Sequence, residues 1–173
     1  MIKPTGKQTI TLRALEPEDL DFLYTIENDV EMWDMGCANV PYSKYALSNY
    51  IVGGTCDIYS DKQMRLLMQD GEGTPVGLLD LFNFDPKHMR AEVGIAVVKH
   101  RRDMGYGHLA LMEIMKYARR TLHLHQLCAV VARSNVCSLN MFRNAGFIEG
   151  ALLKDWVFDG KNYEDAVMMQ YFL

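Results

Sequence analysis

The chain lacks the features that would point to a membrane or a polyanion. No run approaches the ~20 apolar residues of a membrane-spanning helix, and the opening MIKPTGKQTITL lacks the apolar core of a signal peptide. A formal net charge of −4 gives nucleic acid or an anionic membrane no electrostatic reason to attract the chain, and mildly favours cationic substrates. We therefore expect a cytoplasmic protein with no nucleic-acid and no membrane partner.

The chain also has no cysteine spacing typical of a metal site or a disulfide framework. Its four cysteines are Cys37, Cys56, Cys128 and Cys137. None belongs to a C-x-x-C pair, and His123 and His125, although on one side of a predicted strand, have no third ligand near them in sequence. We expect reduced, structural cysteines and no metal.

What is present is the composition of an ordinary folded domain. The chain has 173 residues, of which 49% are hydrophobic and 23% charged, enough for one sizeable core. It contains no repeats, low-complexity tracts or proline-rich linkers. The sequence therefore predicts a single domain over residues 1–173.

The first third of the chain is predicted to form one strand and two helices. Residues 10–15 favour a strand, and Pro17 followed by two acids marks a helix start, since a fixed φ and negative charge suit an N-terminus. A second helix is predicted to begin at Ser43, its N-cap, and to stop at Gly53 and Gly54.

The middle of the chain predicts an antiparallel meander followed by a helix. Residues 65–69 and 76–82 form a hairpin around a glycine-rich turn, and residues 90–98 add a third strand with alternating apolar side chains. Apolar residues then recur at helical spacing. They are Leu111, Ile114, Met115, Ala118 and Leu122.

The last third predicts a strand at 127–132, a short helix ending with Gly146 in the C′ position, and two strands joined by the turn 159–162. The predicted order is β-α-α-β-β-β-α-β-α-β-β. This is an α/β (α+β) arrangement.

The loop Arg102-Asp103-Met104-Gly105-Tyr106-Gly107 joins the third meander strand to the long helix. Unpaired N–H groups at a helix N-terminus bind anions, and glycine lets a phosphate approach the backbone without a Cβ in the way. The loop is therefore a candidate pyrophosphate cradle, with a purely structural glycine turn as the alternative.

Extended to Ala110, the loop also fits the dinucleotide pattern G-x-G-x-x-A. Dinucleotide-binding units place an acid about 20 positions further on for the ribose, yet none occurs between Glu113 and Glu149. The preceding meander is also not a βαβ unit. A second interpretation, the phosphate-binding loop G-x-x-x-x-G-K of proteins that bind nucleoside triphosphates, needs a lysine that is missing here. Both nucleotide interpretations are therefore set aside.

Two motifs together carry a family resemblance. Arg102-x-x-Gly105-x-Gly107 resembles the R/Q-x-x-G-x-G/A acetyl-CoA loop of the GNAT superfamily of N-acetyltransferases. Asn135-x-x-Ser138, followed by Phe142-Arg143-Asn144-Ala145-Gly146-Phe147, resembles the family's closing N-x-x-S and G-F motif. The likeness covers roughly residues 65–172 and is strongest to RimJ/RimL-like and spermidine acetyltransferases.

The resemblance implies a GNAT fold, with a mixed, mostly antiparallel sheet flanked by helices. It also implies an N-acetyltransferase that moves the acetyl group of acetyl-CoA directly to a primary amine. Backbone groups of Ile95, Ala96 and Val97 would hold the pantetheine arm, with one N–H facing the thioester oxygen. The loop 102–107 would hold the pyrophosphate, with Arg102 adding charge. Asn135 and Asn140 would contact the rest of the CoA arm.

Acetyl transfer also needs a proton acceptor for the amine and a proton donor for the thiolate. Glu92, on the strand that would hold the thioester, is the first candidate base, and Asp80 on the adjacent strand is the second. Both could instead be structural carboxylates. Many GNAT enzymes place a tyrosine where this chain has Phe142, so the acid role shifts to Ser138. The alternative for Ser138 is a helix N-terminal residue bonded to its own backbone. Cys137 is expected to face elsewhere.

The acceptor is left open by the sequence. Four acids, Glu27, Asp29, Glu31 and Asp34, lie where the family places its acceptor-side elements, although a solvated charged face is the favoured explanation for them. The acidic pair that spermidine acetyltransferases carry before a proline is Asn39-Val40 here. A peptide or protein N-terminus, a polyamine, an amino sugar and another small amine remain candidates, as does a non-catalytic acyl-CoA-binding module. A homo-oligomer is also left open.

Overall fold

Seven strands of the described residues form one sheet. The computed structural model describes residues 8–30, 40–54, 57–158 and 160–173. Its strands are β1 (Ile10–Arg13), β2 (Met64–Asp70), β3 (Pro75–Asp85), β4 (Arg90–Val97), β5 (Gln126–Ala132), β6 (Ile148–Phe158) and β7 (Tyr163–Phe172). They lie in the order β1-β2-β3-β4-β5-β7-β6.

The strands pair antiparallel except at the centre of the sheet. The predicted β2-β3-β4 meander is present, and β4 and β5 are the parallel pair. Parallel neighbours need a long crossover connection, and the long helix between β4 and β5 supplies it. The sheet is therefore mixed but mostly antiparallel, as predicted.

Five α-helices accompany the sheet in the described residues: α1 (Leu20–Glu27), α2 (Lys44–Gly53), α3 (Ile58–Asp61), α4 (Tyr106–Arg120) and α5 (Val136–Asn144). The predicted cap of α2 is confirmed, because the Ser43 side chain accepts a hydrogen bond from the backbone N–H of Ala46 at 3.1 Å. Gly146, with φ of +94°, lies just beyond α5 in the left-handed conformation expected of a C′ residue.

The predicted element order omitted α3. This helix has four residues, too few for a helical period to show in the sequence, and it is held by Asp57. The Asp57 carboxylate accepts bonds from the Tyr59 N–H at 3.0 Å and the Ser60 hydroxyl at 2.7 Å. Two short 3-10 turns, Pro17–Asp19 and Lys99–Arg101, are also present, so the helix predicted from Pro17 begins with the first of these turns.

The sheet has two faces with different coverings. On the face packed under α4 and α5, here the α4 face, the apolar stripe of α4 meets alternate residues of the central strands, and Leu111 and Ile114 are fully buried. Burying one such side chain contributes about 1.5–3 kcal/mol. On the other, the α1 face, α1 and α2 pack on Leu67 and Leu78 in a smaller cluster. One continuous core therefore lies on the α4 face.

Several sequence predictions fall outside the described residues. These are the acids Glu31 and Asp34, the cysteines Cys37 and Cys56, Asn39, and Asp159 of the last turn. Among the residues that are described, no helix is long and apolar enough to cross a membrane. The same part of the chain has no group of His, Cys, Asp or Glu side chains placed to hold a metal ion.

Candidate active site

The parallel strands β4 and β5 separate partway along their length. Their described pairing joins residues 90–92 to 126–128 and ends at Glu92 and Cys128. Beyond that point β4 continues to pair with β3, so its other edge faces a gap. Alternate N–H and C=O groups on this edge are available to another partner. The predicted pantetheine residues Ile95, Ala96 and Val97 lie on this stretch.

The glycine loop lies beyond the end of β4 and leads into α4. Arg102 Nε donates to the backbone oxygen of Val97 at 3.0 Å, which ties the loop to the strand end. Asp103 and Gly105 adopt left-handed φ values of 59° and 85°, and Gly105 is the N-cap of α4. Because glycine has no side chain with which to cap, the first N–H groups of this 15-residue helix are left for another acceptor. This geometry suits a pyrophosphate.

Gly107 lies where α4 and α5 approach each other. A Cβ at this position would lie 2.8 Å from Met141 Sδ, closer than real Cβ contacts allow. The second glycine of the motif therefore lies against the Met141 side chain, which would have to shift to admit a Cβ. Met141 also lies one turn after Ser138, so Ser138 shares the face of α5 that points toward the loop.

The start of α5 is held by Asn135. Its side-chain oxygen accepts from the backbone N–H of Ser138 at 3.1 Å, so this amide caps the helix. Ser138 as a whole residue is partly buried. Cys137 is exposed and its sulfur lies 3.8 Å from Asp103 Oδ1, which links α5 to the glycine loop. Cys137 therefore contacts the glycine loop through Asp103.

Two further residues of the second motif have structural contacts. Phe142 is buried, and its ring packs edge-on against Phe147 with centroids 5.0 Å apart. It has no hydroxyl to donate, so the acid position of tyrosine-bearing relatives is apolar here. Asn140 is exposed, and its side-chain oxygen accepts from Arg143 at 3.0 Å. Contact between Asn140 and a CoA arm stays a prediction.

Glu92 lies on the α1 face at the point where β4 and β5 separate. Its neighbours Ala91 and Val93 are buried in the core of the α4 face, so alternation places Glu92 on the opposite side. It lines a cavity of about 310 Å³. The cavity is lined by Asn83, Asp85, Arg90, Ala91, Glu92, Gln126, Cys128, Met168 and Gln170.

Both burial and charge raise the pKa of one group on the lining of this cavity, the thiol of Cys128. Burial, and next to it the negative charge of Glu92, raise the pKa of the Cys128 thiol above its ordinary value. Cys128 is therefore protonated at neutral pH and is a poor nucleophile. Two carboxylates, Glu92 and Asp85, line this cavity.

Asp80, the second candidate base, is held by an arginine. Arg65 donates to its two carboxylate oxygens at 2.7 and 3.0 Å and to Glu27 at 2.7 Å. Burial lowers the pKa of Arg65, but the hydrogen bonds and charge of Asp80 outweigh burial and raise that pKa overall. The ring of Tyr50 lies 5.7 Å from the guanidinium. A carboxylate bound in this way is suited to an ion pair, so Glu92 is the better placed base.

Two residues at this site were missed in the sequence. Arg65 stands directly opposite Asp80 in the β2–β3 register, so the hairpin offered a signal, since opposite charges favour cross-strand positions. Asn83 lies in a segment predicted to be a break between strands, where β3 in fact continues to Asp85. No sequence signal links Asn83 to Glu92.

The fold is a mixed sheet whose central strands separate beside a glycine loop at the start of α4. The acetyltransferase (GNAT) domain family matches residues 9–148, well over half of the chain. The chain therefore belongs to the GNAT acetyltransferase family. It is an acetyl-CoA-dependent N-acetyltransferase, in which acetyl-CoA is the acetyl donor and an amine the acceptor.

Known proteins similar to this chain along most of its length include enzymes named spermidine N(1)-acetyltransferase. Spermidine N(1)-acetyltransferase of Vibrio cholerae is 24% identical over 161 residues, which are 92% of this chain and 91% of the relative. The Escherichia coli K12 enzyme of the same name is 25% identical over 169 residues, covering 95% and 86%.

Solved structures have the same fold. The Vibrio cholerae spermidine N-acetyltransferase in complex with CoA and spermine has a TM-score of 0.84 at 24% identity, and each chain is covered to 95%. A dodecameric structure of that enzyme in an intermediate state has a TM-score of 0.78 at 24% identity, covering 95% of this chain and 94% of the other. The predicted GNAT fold is confirmed.

Proposed function

We propose that Glu92 is the general base of acetyl transfer to a small primary amine bound in the 310 Å³ cavity. The observation that carries this proposal is the position of its carboxylate, at the last paired residues of β4 and β5 and on the lining of the cavity. A carboxylate there accepts a proton from the ammonium, directly or through one water, so that the amine nitrogen can attack.

The remaining residues of the proposed site bind and orient. Acetyl-CoA supplies an acetyl thioester when bound. The N–H groups of the loop 102–107 at the start of α4 bind the pyrophosphate. The backbone groups of Ile95 and the N–H of Val97, on the edge of β4 away from β3, orient the pantetheine arm, whereas Ala96 pairs with Leu78 and turns its backbone groups toward β3. One N–H of that edge stabilises the oxyanion, which needs a donor fixed before reaction.

Ser138 is the proposed hydrogen-bond donor to the departing thiolate, and it relays to the sulfur a proton that water replaces on its hydroxyl. Its hydroxyl lies on the loop-facing side of α5, and the Phe142 ring that follows it is buried and apolar. Since Asn135 already accepts from the Ser138 N–H, the hydroxyl is not needed to cap the helix. The hydroxyl is thereby left for a hydrogen bond to sulfur.

The proposed acceptor is a polyamine or another small amine. The relatives named spermidine N(1)-acetyltransferase support this class, and Glu92 and Asp85 give the cavity two carboxylates. Arg90 lies 3.3 Å from Asp85, so Glu92 carries the less compensated charge. A peptide N-terminus as acceptor stays a prediction.

A direct test is release of CoA thiol from acetyl-CoA in the presence of single amines. Polyamines, small monoamines, aminoglycosides and N-terminal peptides form the panel, and we expect the largest rate with a polyamine or small amine. The buried Phe142 favours one alternative, a module that binds acyl-CoA without turnover. Tight CoA binding with no thiol release from any amine would establish that alternative.

Self-association is a further part of the proposal. The dodecameric relative supports it, and this chain exposes Leu152, Trp156 and Phe158 along the edge strand β6. Light scattering on the parent and on Trp156→Lys measures the mass directly, and a monomeric parent would contradict it. The cytoplasmic location stays a prediction.

A further inference from the structure

Strand β3 contains a bulge beside Glu92. Phe82 pairs with Glu92 and Asp85 pairs with Arg90, so three steps along β3 match two along β4 and one residue of β3 is extra. Asn83 within this bulge has a left-handed φ of +49°. Asparagine tolerates this conformation better than most residues other than glycine.

The bulge changes the face to which Asn83 points. Leu81 and Phe84 are both buried in the core of the α4 face, although strict alternation would place residues three apart on opposite faces. The extra residue keeps Phe84 in the core and sends the side chain of Asn83 to the α1 face. Bulges commonly re-aim a side chain in this way.

On the α1 face, Asn83 contacts the proposed base. Its Nδ2 donates to Glu92 Oε1 at 3.0 Å. The ionised carboxylate only accepts hydrogen bonds, so the amide nitrogen must be the atom that faces it. This contact holds one oxygen of Glu92 and leaves the second to accept a proton.

The contrast with Asp80 shows why a neutral donor matters. Asp80 is bound through both oxygens by the cation Arg65, which offsets its charge and occupies its lone pairs. The Asn83 amide orients Glu92 without bringing a compensating cation. A base needs both a fixed position and a retained negative charge.

We infer that Asn83 is a positioning residue that orients the Glu92 carboxylate for proton abstraction, through a left-handed bulge in β3. The inference rests on the proposed role of Glu92. It extends the site to a residue of the β3 bulge that lines the cavity.

The test is a double-mutant cycle of Asn83→Gly and Glu92→Gln. Glycine adopts the left-handed φ without strain and removes only the amide. We expect Asn83→Gly to lower kcat about tenfold, the size of one hydrogen bond to a charged group, with the KM for acetyl-CoA unchanged. Glu92→Gln should lower kcat about a hundredfold, and in its presence Asn83→Gly should have no further effect.

Two further variants separate positioning from fold. Asn83→Asp keeps a residue that tolerates this conformation but places a second carboxylate next to that of Glu92. Its kcat should therefore fall at least as far as that of Asn83→Gly. The control is His123→Gly, which also puts glycine at an exposed residue with a left-handed φ (52°), but one that does not line the cavity. This variant should keep full activity.

The outcomes distinguish the inference from the proposed function. An unchanged kcat in Asn83→Gly, or an equal loss in the Glu92→Gln background, would overturn the positioning role alone. Full activity in Glu92→Gln would overturn the base assignment itself, and the inference with it. A thermal unfolding curve for each variant confirms that the fold is retained.

Discussion

The two faces of the sheet present different kinds of polar group to a ligand: backbone groups near one face, and side chains on the other. Near the α4 face, the proposed cofactor site is made of backbone: the free edge of β4 and the N-terminus of α4. On the α1 face, side chains from separate elements bind one another: Arg65 binds Asp80 and Glu27, and Asn83 holds Glu92 on the lining of the proposed acceptor cavity.

The difference teaches that one fold can vary its acceptor without altering its donor site. Backbone groups are set by strand and helix geometry, and change little when surface side chains change. Side chains on the α1 face depend on register and packing, so a few substitutions there alter the charge presented to an amine. Substitutions on and around the two faces, each with a matched control, test this contrast.

The largest expected effect is on the α1 face. Arg65→Met removes the cation between two partly buried carboxylates, so we expect the free energy of unfolding to fall by about 3 kcal/mol. Urea denaturation measures it. The control Lys44→Met removes an exposed partner of Asp21 and should leave stability nearly unchanged. Equal behaviour of the two variants would mean that the Arg65 network is screened like a surface pair.

The second prediction concerns the glycine loop. Gly105→Val forces a β-branched residue into a φ of +85°, which should distort the pyrophosphate cradle and weaken CoA binding about thirtyfold. Calorimetric titration with CoA measures the Kd. Gly73→Val imposes the same strain (φ +80°) in the open β2–β3 turn and should destabilise the fold without altering the Kd. Normal CoA binding by Gly105→Val would refute the loop assignment.

The third prediction tests the proposed acid. Ser138→Ala should lower kcat about tenfold and raise KM less, because a thiolate leaves readily and needs only modest help. Steady-state kinetics with a saturating amine measure both. The control is Ser134→Ala, because the Ser134 hydroxyl donates to Glu164 at 3.0 Å rather than facing the proposed site. If kcat is the same in Ser138→Ala and the parent, water is the proton donor.

The smallest effect concerns the entry to α1. Hydrogen bonds from Arg13 lower the pKa of the buried Asp19 carboxyl, although burial opposes them. A carboxylate with a lowered folded pKa adds stability above its unfolded value, and loses it as the pH falls through the folded value. Asp19→Asn should therefore cost about 1 kcal/mol at pH 7, and the difference should shrink as the pH falls below the ordinary 3.8.

Denaturation curves between pH 2 and about pH 7 test this dependence. The exposed Asp21→Asn is the control and should differ little from the parent at either end of the range. A pH-independent deficit in Asp19→Asn would show that shape, rather than charge, is what Asp19 contributes.

Much of the fold could be predicted from local signals. The β2-β3-β4 meander was visible as alternating apolar residues, and the apolar stripe of α4 is fully buried as its spacing predicts. Strand ends were less accurate: β3 was predicted to end at residue 82 but continues to Asp85, because the bulge around Asn83 interrupts the alternation without ending the pairing. The helix α3 was too short to detect.

In the site, too, residues within one continuous segment could be predicted from the sequence, and contacts between distant segments could not. Loop residues 102–107 form one continuous segment, so their motif was readable, and their position at the start of α4 agrees with it. The side chains that hold Asp80 and Glu92 come from positions 15 and nine residues away along the chain. Their contacts depend on a strand register that no single segment specifies.

By itself, the sequence determined the elements, the family and the glycine loop, because each depends on residue types at fixed spacing within one stretch of chain. Only the tertiary structure decided where β4 and β5 separate, which carboxylate is bound to Arg65, and which one faces the cavity. These depend on which face of the sheet each side chain occupies. One extra residue in a strand is enough to change that face.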